Sequence, residues 1–74
     1  MATVTIQEIV SSLPERVQET IEAFKTSYSI LDPEENYEEK ARCRCKIAGY
    51  ARCLMEVGLV NEIERQRICT YMTI

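Results

Sequence analysis

Asp32-Pro33-Glu34-Glu35, near the middle of the chain, is a tetrapeptide that a continuous helix cannot cross. Proline has no amide proton and its ring collides with the carbonyl four residues back, so a helix arriving here must stop. The same four residues suit a helix start, with aspartate as cap, proline at the first helical position and two acids beside the positive end of the dipole. The chain is therefore predicted to turn back on itself at this point. Before the break, Val17, Ile21, Phe24, Tyr28 and Leu31 step by 4, 3, 4 and 3, the stripe of a helix packed lengthwise on others. The reverse face of that helix carries Glu15, Glu19 and Glu22, an acidic side turned to solvent.

Further boundaries follow from cap chemistry. Thr5 with Glu8 forms a capping-box pattern, flanked by Val4 and Ile9 at the staple positions, and Ile6, Ile9, Val10 and Leu13 continue at helical spacing. Ser12-Leu13-Pro14-Glu15 reads as a restart, with serine at the cap and proline in the first turn. Gly58 fits the left-handed position after a helix, with Leu59 folding back on Leu54, and Asn61-Glu62-Ile63-Glu64 caps a last short helix. The expectation is an all-α fold: one helical domain over residues 1–74, built as a small bundle of three to four helices at about 6–12, 13–31, 33–57 and 62–72. A long antiparallel hairpin of the second and third helices forms its centre.

Length sets how much such a bundle can hide. At 74 residues, folding covers only about 60% of the surface an extended chain exposes, so self-association or a partner is a natural way to bury more. The formal charge of −3 is divided unevenly. Residues 1–39 carry nine acids and two bases, and residues 40–74 carry three acids and seven bases, or −7 against +4. Either the two halves neutralise one another inside the bundle, or a charged surface stays open to a partner of opposite sign.

On the third helix, a turn of about 100° per residue groups Tyr37, Ile47, Ala48, Ala51, Leu54 and Met55 as the core stripe. Arg42, Lys46, Gly49 and Cys53 project from the opposite side, flanked by Arg52 and Tyr50. This strip is read either as an ordinary solvated face, with Glu38 paired to Arg42, or as an anion or acidic-protein site built from Arg42, Lys46, Tyr50 and Arg52. Lys40 and Arg44 fall on the core stripe, where a cation must snorkel, pair with a carboxylate or lie at a subunit contact. Cys43, Cys45 and Cys53 share this helix and point in different directions, so they cannot converge on one metal. Buried or half-buried thiols acting as small hydrophobes are the expected role, and Cys53 with Cys69, across a helical hairpin, is the one intrachain bridge worth considering.

The chain contains no histidine, so no nucleophile-and-base pair suggests itself, and neither a phosphate-cradling glycine loop nor calcium-loop spacing occurs. Glu34, Glu35, Glu38 and Glu39 are read as dipole partners of a helix N-terminus, not metal ligands. The expectation is a non-enzymatic protein with no cofactor and no metal site. A helix-turn-helix reading of residues 54–72 is disfavoured because Glu62 and Glu64 occupy the turn that would meet phosphates. Met1-Ala2-Thr3-Val4 lacks the basic and apolar regions of an export signal, and no apolar run is long enough to span a bilayer, so a cytoplasmic location is expected.

The segments Ala48-Gly49-Tyr50-Ala51-Arg52 and Leu54-Met55-Glu56-Val57-Gly58-Leu59-Val60-Asn61-Glu62 resemble a pattern found in small helical proteins of Gram-positive bacteria and their prophages. There, a glycine-tyrosine helix runs into a Gly-Leu-Val or Gly-Leu-Ile turn and a short charged helix. The resemblance covers roughly residues 37–74. It implies a mobile-element setting, in the host cytosol, where small acidic helical proteins inhibit defence systems including CRISPR effectors. It supplies no site residues. Two functional expectations follow. The first is an interaction protein, self-associating, that occludes a partner's surface through Glu15, Glu19 and Glu22 or through the basic strip. The second is an oligomeric binder of a nucleotide or other small anion at Arg42, Lys46, Tyr50 and Arg52. A DNA-binding regulator is the weaker third.

Overall fold

A computed structural model describes residues 4–74, and the reading of the first three residues lies outside it. Four helices follow in order: α1 (Ile6–Ser11), α2 (Glu15–Ser29), α3 (Tyr37–Glu56) and α4 (Glu62–Met72). No strand occurs among the described residues. No helix is long and apolar enough to cross a membrane.

The caps account for most of these boundaries. The Thr5 hydroxyl accepts from the Glu8 amide at 3.2 Å and opens α1. Val4, the other half of the expected staple, is 49% exposed while Ile9 is buried. At α4 the box closes in both directions: Asn61 Oδ1 accepts from the Glu64 amide at 2.8 Å, and Glu64 Oε1 accepts from the Asn61 amide at 2.9 Å. After α3, Gly58 takes φ +82°. Its amide donates to Met55 O at 3.0 Å and that of Leu59 to Leu54 O at 2.9 Å, the two bonds of a Schellman ending.

Two helix starts differ from the sequence expectation. Ser12 does not cap α2; its hydroxyl turns back to Ile9 O at 2.7 Å and closes α1. Pro14 itself occupies the cap of α2, and its ψ of 147° at φ −55° is extended, so that Glu15 is the first helical residue. Gln18 then satisfies the loose end of α1 by donating to Leu13 O at 2.7 Å. At the central break, Asp32 Oδ1 accepts from the Glu34 and Glu35 amides at 2.7 and 3.0 Å, as a cap should. The turn it opens closes on itself, since the Asn36 amide donates to Asp32 O at 2.9 Å and the Asp32 amide donates to Asn36 Oδ1 at 3.0 Å. Asn36 sits at φ −111° and ψ 36°, outside helical geometry, so α3 starts at Tyr37 and not at Pro33.

The core takes residues from every helix: Ile9 and Leu13 from α1 and the residues just after it, Ile21 and Tyr28 from α2, Ile47, Ala51 and Leu54 from α3, and Val60, Ile68 and Met72 around α4. Ile21, Ile47, Ile68 and Met72 expose no surface, and each such side chain contributes about 1.5–3 kcal/mol by leaving water. α4 touches each of the other three helices. The stripe of α3 is narrower than expected. Tyr37 is 72% exposed and Ala48 is exposed, because the buried centre lies between Leu54 and Ala51 and both residues fall about 70–90° to one side.

Among the described residues, the three ion pairs all lie within single helices: Glu38–Arg42 at 4.0 Å, Arg52–Glu56 at 3.2 Å and Glu62–Arg65 at 2.6 Å. The last is the tightest. Hydrogen bonds from Arg65 first, and Gln66 second, pull the Glu62 carboxyl from 4.5 down to about 2. The folded-state value lies below the unfolded one, so this contribution is fully present above about pH 4.5 and fades as pH falls toward 2. The melting temperature is expected to drop across that window, and in Glu62→Gln to drop less. Identical pH profiles for the two proteins, followed by circular dichroism, would show that the pair adds nothing.

Candidate functional site

The four residues proposed as an anion site do not come together. Arg42 and Lys46 are exposed and share a hollow of about 340 Å³ with Phe24, Ser27, Glu39 and Cys43. Tyr50 is half-buried, its ring packed on Phe24 with centroids 5.5 Å apart. Arg52 lies on another side of α3, since six residues of helix rotate it about 120° from Lys46. There it bonds Glu56 at 3.2 Å. Arg42 faces Glu38 at 4.0 Å, and Glu39 lines the hollow beside Lys46. The basic strip is thus split in two and each arginine already has an acid of its own.

The acidic residues of α2 are arranged differently. Glu15, Glu19 and Glu22 are all exposed and lie along one ridge, within about 60° of one another around the axis. Among the described residues none has a cation within 4.0 Å. Glu22 is fixed in place by a neutral donor: the Tyr71 hydroxyl of α4 gives it a hydrogen bond of 2.5 Å, and that carboxylate raises the phenol pKa. Lys25, one turn further along α2, reaches the other way, donating to Tyr71 O at 3.1 Å with its ammonium 4.3 Å from the ring centroid. Lys25 therefore serves the packing of α4, and among the described residues Arg16, the other base of α2, forms no ion pair with the ridge within 4.0 Å.

Lys40 and Arg44 resolve the anomaly of cations on a core stripe. Lys40 snorkels to the C-terminal end of α2, where Leu31 O at 3.0 Å and Tyr28 O at 3.4 Å accept from it and the Tyr28 ring lies 4.2 Å beneath. Arg44 stays exposed and donates to the Tyr28 hydroxyl at 3.1 Å. The sequence flagged both residues as misplaced; it gave no sign that they meet the same tyrosine.

Cys43, Cys45, Cys53 and Cys69 are free thiols, with Cys45 and Cys53 exposed and the other two half-buried. Among the described residues no three Cys, Asp or Glu side chains converge as a metal site would require.

No family model matches the chain, and neither a curated protein nor a solved structure matches it.

Proposed function

We propose that this chain is a non-enzymatic interaction protein that acts by laying the acidic ridge of α2 against a basic surface of another protein. The observation that carries this reading is the separation of charge: among the described residues every ion pair is internal to α3 or α4, and Glu15, Glu19 and Glu22 lie on an exposed face and take part in none. Three carboxylates over eight residues of helix amount to one charge per about 5 Å, the same order as the 3.4 Å per strand of DNA. The ridge can thus take the place of a nucleic-acid backbone in a basic groove. A standard interface needs about 800 Å² from each partner, roughly a seventh of the 5311 Å² this chain exposes, so α2 and its neighbours would be engaged as one broad face.

In this reading α2 and α3 are the arms of a long antiparallel hairpin that stiffens the ridge, and a second copy of the chain covers part of the remaining surface. The setting suggested by the resemblance of residues 37–74 is a phage-type inhibitor of a bacterial defence protein, such as a CRISPR effector, in the cytoplasm.

The test is charge reversal. Immobilised chain is expected to retain a partner from a bacterial lysate at low salt, and E15K/E19K/E22K is expected to lose it by more than tenfold while keeping its helical spectrum. Retention unchanged by the triple reversal would remove the ridge from the mechanism. The anion reading makes a separate demand, that nucleotides raise the melting temperature and Arg42→Gln abolishes the rise.

A further inference from the structure

We propose that the cleft where α3 emerges from the central turn, walled by Tyr28, Tyr37, Lys40 and Arg44, binds a small oxyanion carried on a flat apolar group.

The argument begins with charge. Lys40 and Arg44 stand one helical turn apart, and neither has a carboxylate within 4.0 Å. The Asp32 carboxyl pKa is lowered first by hydrogen bonds from the Glu35 and Glu34 amides and least by Lys40, and its Oδ1 is engaged by those amides. Two positive charges therefore flank the cleft without direct neutralisation.

Hydrogen-bonding capacity points the same way. Arg44 has five N–H donors, and one of them meets the Tyr28 hydroxyl at 3.1 Å. That hydroxyl spends an oxygen lone pair on the bond, so its own proton is left without an acceptor among the described residues although Tyr28 is only 6% exposed. The cleft offers a guanidinium fork and a phenol proton, and acceptors to match them are what a carboxylate or phosphate brings. Lys40 adds charge and little else, since its ammonium is already held by two carbonyls and the Tyr28 ring.

Shape supplies the rest of the specificity. The cleft measures about 240 Å³ and is completed by Pro33 and Ala41. Water occupies about 30 Å³ per molecule, so this space takes an oxyanion with one ring and little more. The Tyr37 ring is 72% exposed at the rim, where a flat group can stack on it. Its place beside the buried stripe of α3 leaves the ring free to serve the site. This reading is independent of the acidic ridge on α2 and needs no captured partner for its test.

The experiment is an amide-resolved titration of the isotope-labelled chain with sodium chloride, inorganic phosphate, phenyl phosphate and benzoate at matched ionic strength. Saturable shifts centred on Tyr37, Ala41 and Arg44 are expected for the oxyanions and not for chloride. Phenyl phosphate is expected to bind several-fold more tightly than inorganic phosphate. Benzoate as tight as phenyl phosphate identifies a carboxylate ligand, and weaker benzoate a phosphate monoester. Arg44→Gln should weaken binding at least roughly tenfold, the cost of one charge-assisted hydrogen bond, while Arg52→Gln leaves it unchanged. Tyr28→Phe, which removes only the hydroxyl, should weaken it by a smaller factor. Shifts that grow linearly and equally for chloride and phosphate, or an Arg44→Gln protein that binds as tightly as the parent, would overturn the proposal.

Discussion

Ile68→Ala is expected to remove about 2–5 kcal/mol of unfolding free energy, the range for deleting a buried branched side chain and leaving a partly collapsed cavity. Ile68 exposes none of its surface and belongs to the helix that touches all three others. A domain of this length has roughly 4–11 kcal/mol in total, at about 0.05–0.15 kcal/mol per residue, so the substitution takes a large fraction of what holds the fold. The denaturant midpoint should fall steeply. Ile63→Ala is the internal control: it lies on the same helix but is 70% exposed, and its effect is expected to stay within about 0.5 kcal/mol. Equal midpoints for the two variants would mean that α4 does not dock as described.

The two glycines are expected to respond to alanine with opposite signs. Gly49 lies inside α3, and a Cβ placed on it meets nothing within 4 Å. Alanine there lowers the entropy lost on folding at no steric cost, a gain of about 0.8–1 kcal/mol. Gly58 also has open space around it, but its φ of +82° is a conformation that a Cβ penalises by about 1–2 kcal/mol. For a domain of this size 1 kcal/mol moves the melting temperature by about 4–8 °C, so the two variants should melt roughly 10–20 °C apart, one above the parent and one below. Calorimetry decides it. The gain at Gly49 bears on function as well, because partner retention that survives Gly49→Ala excludes close backbone approach to α3 at that position.

How much of this was legible beforehand depends on how local each signal was. Thr5, Gly58 and Asn61 act on amides and carbonyls within four residues, and all three endings were readable from the sequence. Ser12 and Asp32 are also caps, but each stood where two local arrangements competed. Ser12 bonded backward to Ile9, and Asn36 returned a hydrogen bond to Asp32 that stopped the helix from starting at Pro33. The centre of the α3 stripe depends on where α2 and α4 dock, which no spacing reveals, and so spacing alone places Tyr37 and Ala48 in a core they do not enter. The scattering of Arg52 away from Lys46 was different. Six residues of helix impose it, and the angle alone was enough to separate them. For the cleft at Tyr28 the sequence held half the signal, two cations on an apolar stripe, and lacked the tyrosine that gathers them from another helix.

The position of α4 also constrains the order of events during synthesis. Ile21 and Ile47 share one buried cluster with Ile68 and Met72, and α4 packs on both α2 and α3. At about 5–20 residues per second, the fourteen residues from Asn61 to Ile74 take about 1–3 seconds to add. Through that interval the nascent polypeptide carries greasy flanks on α2 and α3 that α4 has yet to meet, a surface of the kind that holdase chaperones shield.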